Sequence, residues 1–129
     1  VRIFKNKSFG RFADKAPITD PALREAVAEI ERGLHDGDLG GGVFKKRIAR
    51  AGAGKSGGFR TIVLYKVAQL AIFVFGFAKS DRNNIDNYEK EAFKKLAKEM
   101  LAYDDEALEK VVDSGVLIEV KEEDETYEN

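Results

Sequence analysis

Nine cations lie between Val43 and Arg82, with a single acid, Asp81, among them. Lys45, Lys46, Arg47 and Arg50 fall in one short run. Lys55 follows in a glycine-rich stretch, and Arg60, Lys66, Lys79 and Arg82 complete the set. Cations at this density suit a polyanion, and RNA phosphates in particular, because the N–H fork of arginine matches two oxygens of a phosphate group. Cleavage of RNA by its own 2′-OH needs three things. It needs a base for that hydroxyl, cations for the charge that develops on phosphorus, and an acid for the leaving oxygen. Arg60 and a neighbouring arginine supply the cations. A lysine whose cationic neighbours favour its neutral amine supplies the base, and Tyr88 or a charged lysine the acid. No histidine lies in this region, and His35 reads as a loop residue. One acid is too few for divalent-metal catalysis, so no metal or other cofactor is expected.

Gly52-Ala-Gly-Lys55-Ser56 imitates the end of a phosphate-binding P-loop. The full motif requires a glycine where this chain has Ala49. It also requires a helix after the loop, where Phe59 to Lys66 reads as a strand. Nucleotide hydrolysis is therefore not expected, although Lys55 and the exposed backbone of Gly57 and Gly58 can still meet a phosphate.

The elements that must position these groups follow from period and punctuation. Arg2 to Phe4 reads as a short strand and Ser8 to Lys15 as a short helix. Asp20-Pro21 opens a second helix with Asp20 as its cap, Leu23, Ala26, Val27 and Ile30 form its apolar stripe, and Gly33 stops it. His35 to Gly42 reads as a loop. Three strands follow, at Val43 to Arg50, Phe59 to Lys66 and Leu70 to Ala78, with Ala51 to Gly58 as a glycine loop between the first two. The second and third lack clean alternation, which places them centrally with both faces covered. From Ile85 to Leu101 the period becomes helical. Asp104 caps a further helix that ends at Gly115, and Val116 to Val120 reads as a terminal strand.

A meander of the three strands has a definite register. If the turn is at Val67 to Gln69, Arg60 lies beside Gly76 and Gly57 beside Lys79. If the loop at Ala51 to Ser56 closes the other hairpin, Arg47 lies beside Arg60, Lys46 beside Thr61 and Arg50 beside Gly57. Arg47, Arg50, Lys55, Arg60, Lys79 and Arg82 then converge at one end of the sheet, and an anion among them offsets their repulsion. A slip of one residue would exchange Lys46 for Arg47 as the inward group.

The 129 residues suit one domain, expected over 1–121, with an acidic and frayed tail over 122–129. The formal net charge of −1 conceals a polarised chain: Val43 to Arg82 carries +8, and Glu99 to the C-terminus carries −10. There are no cysteines, so neither disulfides nor thiolate metal sites arise, in keeping with a reducing cytoplasm. No stretch reads as a signal peptide, and the longest apolar run, Leu70 to Phe75, is too short to span a bilayer, so no membrane partner is expected.

The order of short strand, two helices, three-strand meander and helix resembles the RelE/ParE superfamily of bacterial toxins, an α+β, RelE-like fold expected to hold a small antiparallel sheet of the meander plus the N-terminal strand, with two N-terminal helices and a C-terminal helical segment. The nearest likeness is to the RelE-like, HigB-type toxins of type II toxin–antitoxin systems. It is carried by Gly40-Gly-Gly-Val-Phe-Lys-Lys-Arg-Ile-Ala-Arg50, by Gly54-Lys-Ser-Gly-Gly-Phe-Arg60 and by Phe77-Ala-Lys-Ser-Asp-Arg-Asn-Asn-Ile85, and it covers roughly Phe4 to Leu108. The resemblance implies a cytoplasmic mRNA endonuclease that acts at the ribosome and is silenced by a cognate antitoxin. It implies Arg60 as a phosphate and transition-state ligand, and Lys46 and Arg47 as members of the basic strand that supplies base and phosphate contacts. Lys79 or Arg82 matches the basic residue after the last meander strand, and Tyr88 a tyrosine near the scissile phosphate. The acidic C-terminal extension departs from the family pattern. Relatives of the ParE type share the fold and inhibit gyrase, so a toxin without RNase activity, or a non-catalytic nucleic-acid-binding module, is the competing reading.

Overall fold

The computed structural model describes residues 1–50 and 54–121, and the side chains of residues 54–56 are outside the description. The expected acidic tail over 122–129 and the Lys55 side chain therefore lie outside the described residues.

The first strand, β1 (Arg2–Asn6), runs directly into helix α1 (Lys7–Lys15). The Asn6 side chain sets that boundary by accepting the Phe9 N–H at 2.8 Å. Helix α2 (Asp20–Glu31) is capped by Thr19, not by Asp20 as expected: the Thr19 hydroxyl accepts the Ala22 N–H, so Asp20 and Pro21 fill the first helical positions. Both suit the place, since Asp20 complements the helix dipole and Pro21 has no N–H to lose. Gly33, at φ +81°, ends the helix as expected.

Five strands and two helices follow: β2 (Gly37–Gly40), β3 (Val43–Arg50), β4 (Gly54–Lys66), β5 (Leu70–Ala78), α3 (Asn87–Met100), α4 (Asp105–Asp113) and β6 (Leu117–Val120). They form one six-stranded mixed sheet in the order β2-β3-β4-β5-β1-β6. The expected meander is its centre, β1 lies parallel to β5, and β6 closes the far edge against β1. Arg2 ties that edge together by bonding Glu119 on β6 and Glu109 on α4 at about 3 Å, so part of the C-terminal acidity is engaged there. These contacts, Glu119 first, raise the Arg2 guanidinium above its ordinary value.

Three parts of the expected layout are corrected. The small antiparallel sheet expected is a six-stranded mixed one, because β1 lies parallel to β5 and β2 and β6 add an edge on each side. Gly37–Gly40, expected within a loop, is an edge strand. Glycine and aspartate have low strand propensity, but pairing with β3 decides the outcome. Gly54 to Gly58, expected in a loop, belongs to β4, which continues past an irregularity in its pairing with β3.

The sheet is covered on both faces. Phe9 and Ala13 of α1 and Leu23, Val27 and Ile30 of α2 pack on Ile48, Phe59, Val63 and Phe73. On the other face Ala97 and Met100 of α3 and Leu108 of α4 pack on Phe4, Ile62, Leu64 and Ile72. Each large apolar side chain buried in full contributes roughly 1.5–3 kcal/mol. Gly76 admits the first layer, because a Cβ there would lie 2.6 Å from Phe12 Cδ2. No helix among the described residues is long and apolar enough to cross a membrane.

Candidate nucleic-acid interface

Strand alternation sorts the basic run of β3 onto two faces. Lys45 and Arg47 lie on the α3 side of the sheet, and Lys46 on the α2 side. The register pairs Arg47 with Arg60 across β3 and β4, as the meander argument expects, and pairs Lys46 with Thr61. On β5 the partner of Arg60 is Phe77, not Gly76. The cause is an extra residue, Val74, inserted between Phe73 and Phe75 where the β4–β5 register shifts by one. A row therefore runs across three strands: Arg47, Arg60, Phe77.

A cleft of about 150 Å³ opens along this row. Lys45, Arg47, Arg60, Ile62 and Phe77 line it from the sheet, Asp36 from the turn before β2, and Asn83 and Asn84 from the loop after β5. Asp36 is clamped to the edge of β3. Its N–H donates to Lys45 O at 2.9 Å, and its Oδ2 accepts the Arg47 N–H at 2.7 Å. Arg47 Nε lies 3.8 Å from Asp36 Oδ1. Arg60 has no such restraint. Its Nη1 is the only buried side-chain nitrogen or oxygen among the described residues without a hydrogen-bond partner. A buried donor left unsatisfied costs about 1–3 kcal/mol, a cost that an anion in the cleft would remove.

The other expected site residues are placed as follows. Lys46 borders the cleft, but its ammonium is buried on the opposite face, 2.7 Å from Leu34 O and 2.5 Å from Glu29. Arg82 is bound by Glu89 through two contacts, 3.1 and 2.5 Å, and lies 5.2 Å above the Phe77 ring. The pairing with Glu89 raises the Arg82 guanidinium above its ordinary value. The same bond, followed by the Asp86 N–H, holds the Glu89 carboxyl below the usual carboxylate range. Arg82 thus joins the β5–α3 loop to the capped start of α3 and supports the aromatic wall of the cleft.

Arg50 is 5.1 Å above the Phe59 ring, on the α1–α2 side, and pairs with Gly54 rather than Gly57. Lys79 is exposed, and its N–H donates to Gly58 O at 3.2 Å, so it sits beside Gly58 rather than Gly57. Tyr88 is 85% exposed on the first turn of α3 and does not line the cleft. Gly57 is exposed. Gly58 is buried, and a Cβ there would lie 2.8 Å from Arg50 N, so its bareness admits the neighbouring strand rather than a ligand. Of the six cations expected to converge, Arg47 and Arg60 share the cleft with Lys45, Arg50, Lys79 and Arg82 take other positions, and the Lys55 side chain lies outside the described residues.

Sequence reasoning missed Asp36, Phe77, Asn83 and Asn84 as cleft residues. Phe77, Asn83 and Asn84 stand in a segment whose resemblance to toxins was legible, but they carried no assigned role. Asp36 carried no signal, because a lone acid in a Gly/Asp-rich stretch reads as solvated loop. His35 anchors the same turn, with its ring 5.0 Å from Phe44 and its Nδ1 accepting the Gly37 N–H.

The family model described as RelE toxin of the RelE/RelB toxin–antitoxin system matches residues 1–120. No match is found among curated proteins.

Proposed function

The chain belongs to the RelE toxin family, and we propose that it is a cytoplasmic endoribonuclease that cleaves mRNA at the ribosome and is held silent by a cognate antitoxin. The three quoted segments that carry the HigB-type likeness support placement in that subgroup. The observation that carries the nuclease reading is the unpartnered, buried Nη1 of Arg60 beside Arg47 in an open polar cleft.

In this reading a phosphodiester enters between Arg47 and Arg60. The two guanidiniums take its non-bridging oxygens through charge-assisted bonds and hold the negative charge that grows on phosphorus. Lys45 adds positive potential, and Phe77 offers a flat wall for a base. Asn83 and Asn84 bring amide groups to the rim. Lys46 supplies neither base nor phosphate contact, because Glu29 and Leu34 hold its ammonium on the far face. The chemistry asks for no metal or organic cofactor. The gyrase-inhibiting alternative expects this pocket to be absent or filled, and an open cleft with a free guanidinium nitrogen supports the nuclease reading over it.

Expression of the wild type and of Arg60→Ala tests the reading. The wild type should arrest growth and fragment mRNA, and the variant should do neither while remaining folded. Full toxicity in the variant would sink the assignment.

A further inference from the structure

We infer that the Asp36 carboxylate is the general base of the cleft, an inference that rests on the nuclease reading above. Among the described residues lining the cleft it is the one carboxylate. The base was expected to be a lysine of the cationic cluster, and one candidate, Lys46, is turned to the other face and engaged by Glu29.

Asp36 has the geometry for the task. Its N–H bond to Lys45 O and the Arg47 N–H bond to Oδ2 fix the residue at two points of a strand edge. Oδ1 is left outside hydrogen-bond range, 3.8 Å from Arg47 Nε, in a side chain 29% exposed. A carboxylate held through one oxygen and open at the other is positioned to accept a proton. The charged groups that border the cleft with it are Lys45, Lys46 and Arg47 from β3, with the Lys46 ammonium turned to the far face, and Arg60 from β4. The loop after β5 contributes the neutral Asn83 and Asn84.

The step balances with water as the only co-reactant. Oδ1 takes the proton of the ribose 2′-OH, the 2′-oxygen forms a bond to phosphorus, and the bond from phosphorus to the 5′-oxygen breaks. A water molecule protonates the leaving 5′-oxygen, and the resulting hydroxide takes the proton back from Asp36. The products are a 2′,3′-cyclic phosphate and a 5′-hydroxyl.

A purely structural role for Asp36, as acceptor of the Arg47 N–H, predicts something different. Asp36→Asn separates the two, since the amide oxygen still accepts that N–H but no longer takes a proton at neutral pH. The test is single-turnover cleavage of ribosome-bound mRNA by the full chain across a pH series, with binding to the same complex measured alongside. For Asp36→Asn we expect a loss on the order of 100-fold or more in the cleavage rate constant. We also expect loss of the wild-type decline in rate toward acid pH, with the variant folded and its binding equal to wild type or better. An Asn variant that cleaves at the wild-type rate with the wild-type pH profile overturns the assignment. Failure of the wild type itself to cleave overturns the nuclease reading instead, and the base with it.

Discussion

Arg47 and Arg60 face one another as direct partners across β3 and β4, and they are restrained unequally. Asp36 holds the backbone N–H of the first and lies beside its Nε. The second buries an Nη1 that no group among the described residues satisfies. Like charges directly opposite in a sheet destabilise it. The arrangement therefore costs stability in the free protein, a cost that an anion bound between them would offset.

That relationship predicts a separation of function from stability at Arg60. Arg60→Lys keeps the charge but loses the planar fork, and Arg60→Ala loses both. Both variants should lower the cleavage rate, the alanine variant by about 10²–10³ in line with loss of one transition-state donor. Thermal melting of the alanine variant should be unchanged or slightly higher, because a repulsive neighbour and an unsatisfied donor have gone. A melting temperature that falls in parallel with activity would indicate a structural role instead.

Lys46 should behave in the opposite way. Its ammonium is buried against Glu29 and Leu34 O, and removal of one partner of a buried pair costs about 3–5 kcal/mol. Lys46→Ala should lower the denaturation midpoint strongly. The part that remains folded should cleave at a rate close to wild type. Calorimetry and an activity assay corrected for the folded fraction check this together.

Gly58 is a test of the β3–β4 junction. An added Cβ would run into Ile48 O and Arg50 N, both backbone atoms that cannot swing aside. Gly58→Ala should cost a few kcal/mol, as backbone strain and overpacking do, whereas Gly57→Ala at its exposed neighbour should be mild. Equal denaturation midpoints for the two variants would contradict the close approach of the strands.

The Arg82–Glu89 pair gives a pH dependence of known sign. Glu89 is depressed in the folded state, first by Arg82 and then by the Asp86 N–H. Its contribution is therefore fully present above the ordinary glutamate value of about 4.3 and is lost as pH falls from there through the lower, folded value. Thermal melts between neutral and acid pH should show wild type losing stability over that window faster than Glu89→Gln. Parallel curves would mean that the pair adds nothing.

Much of this architecture was legible in the chain, for physical reasons that also explain the misses. Leu70–Ala78 and Val43–Arg50 could be bounded because β-branched and aromatic residues end at glycines, charges or turns. The Arg47–Arg60 pairing followed from placing the hairpin turn at Ala51 to Ser56. The extra residue at Val74 was not legible, because in an apolar run with both faces buried no polar residue marks the shift, and Arg60 was consequently set against Gly76 instead of Phe77. The two sides of β3 were ambiguous for a similar reason. Lys45, Lys46 and Arg47 are alike in sequence, and only the position of Glu29 on α2 shows which one is buried. The expected toxin family stands on the match over residues 1–120.

The most direct measurement of the central claim is the mapping of RNA ends after purified protein is added to the same mRNA, translated in one reaction and naked in the other. The account predicts new ends at discrete positions in the translated mRNA with wild type, few on naked RNA, and none in either reaction with Arg60→Ala. Identical ends with Arg60→Ala, or no ends with wild type on translated mRNA, would contradict it.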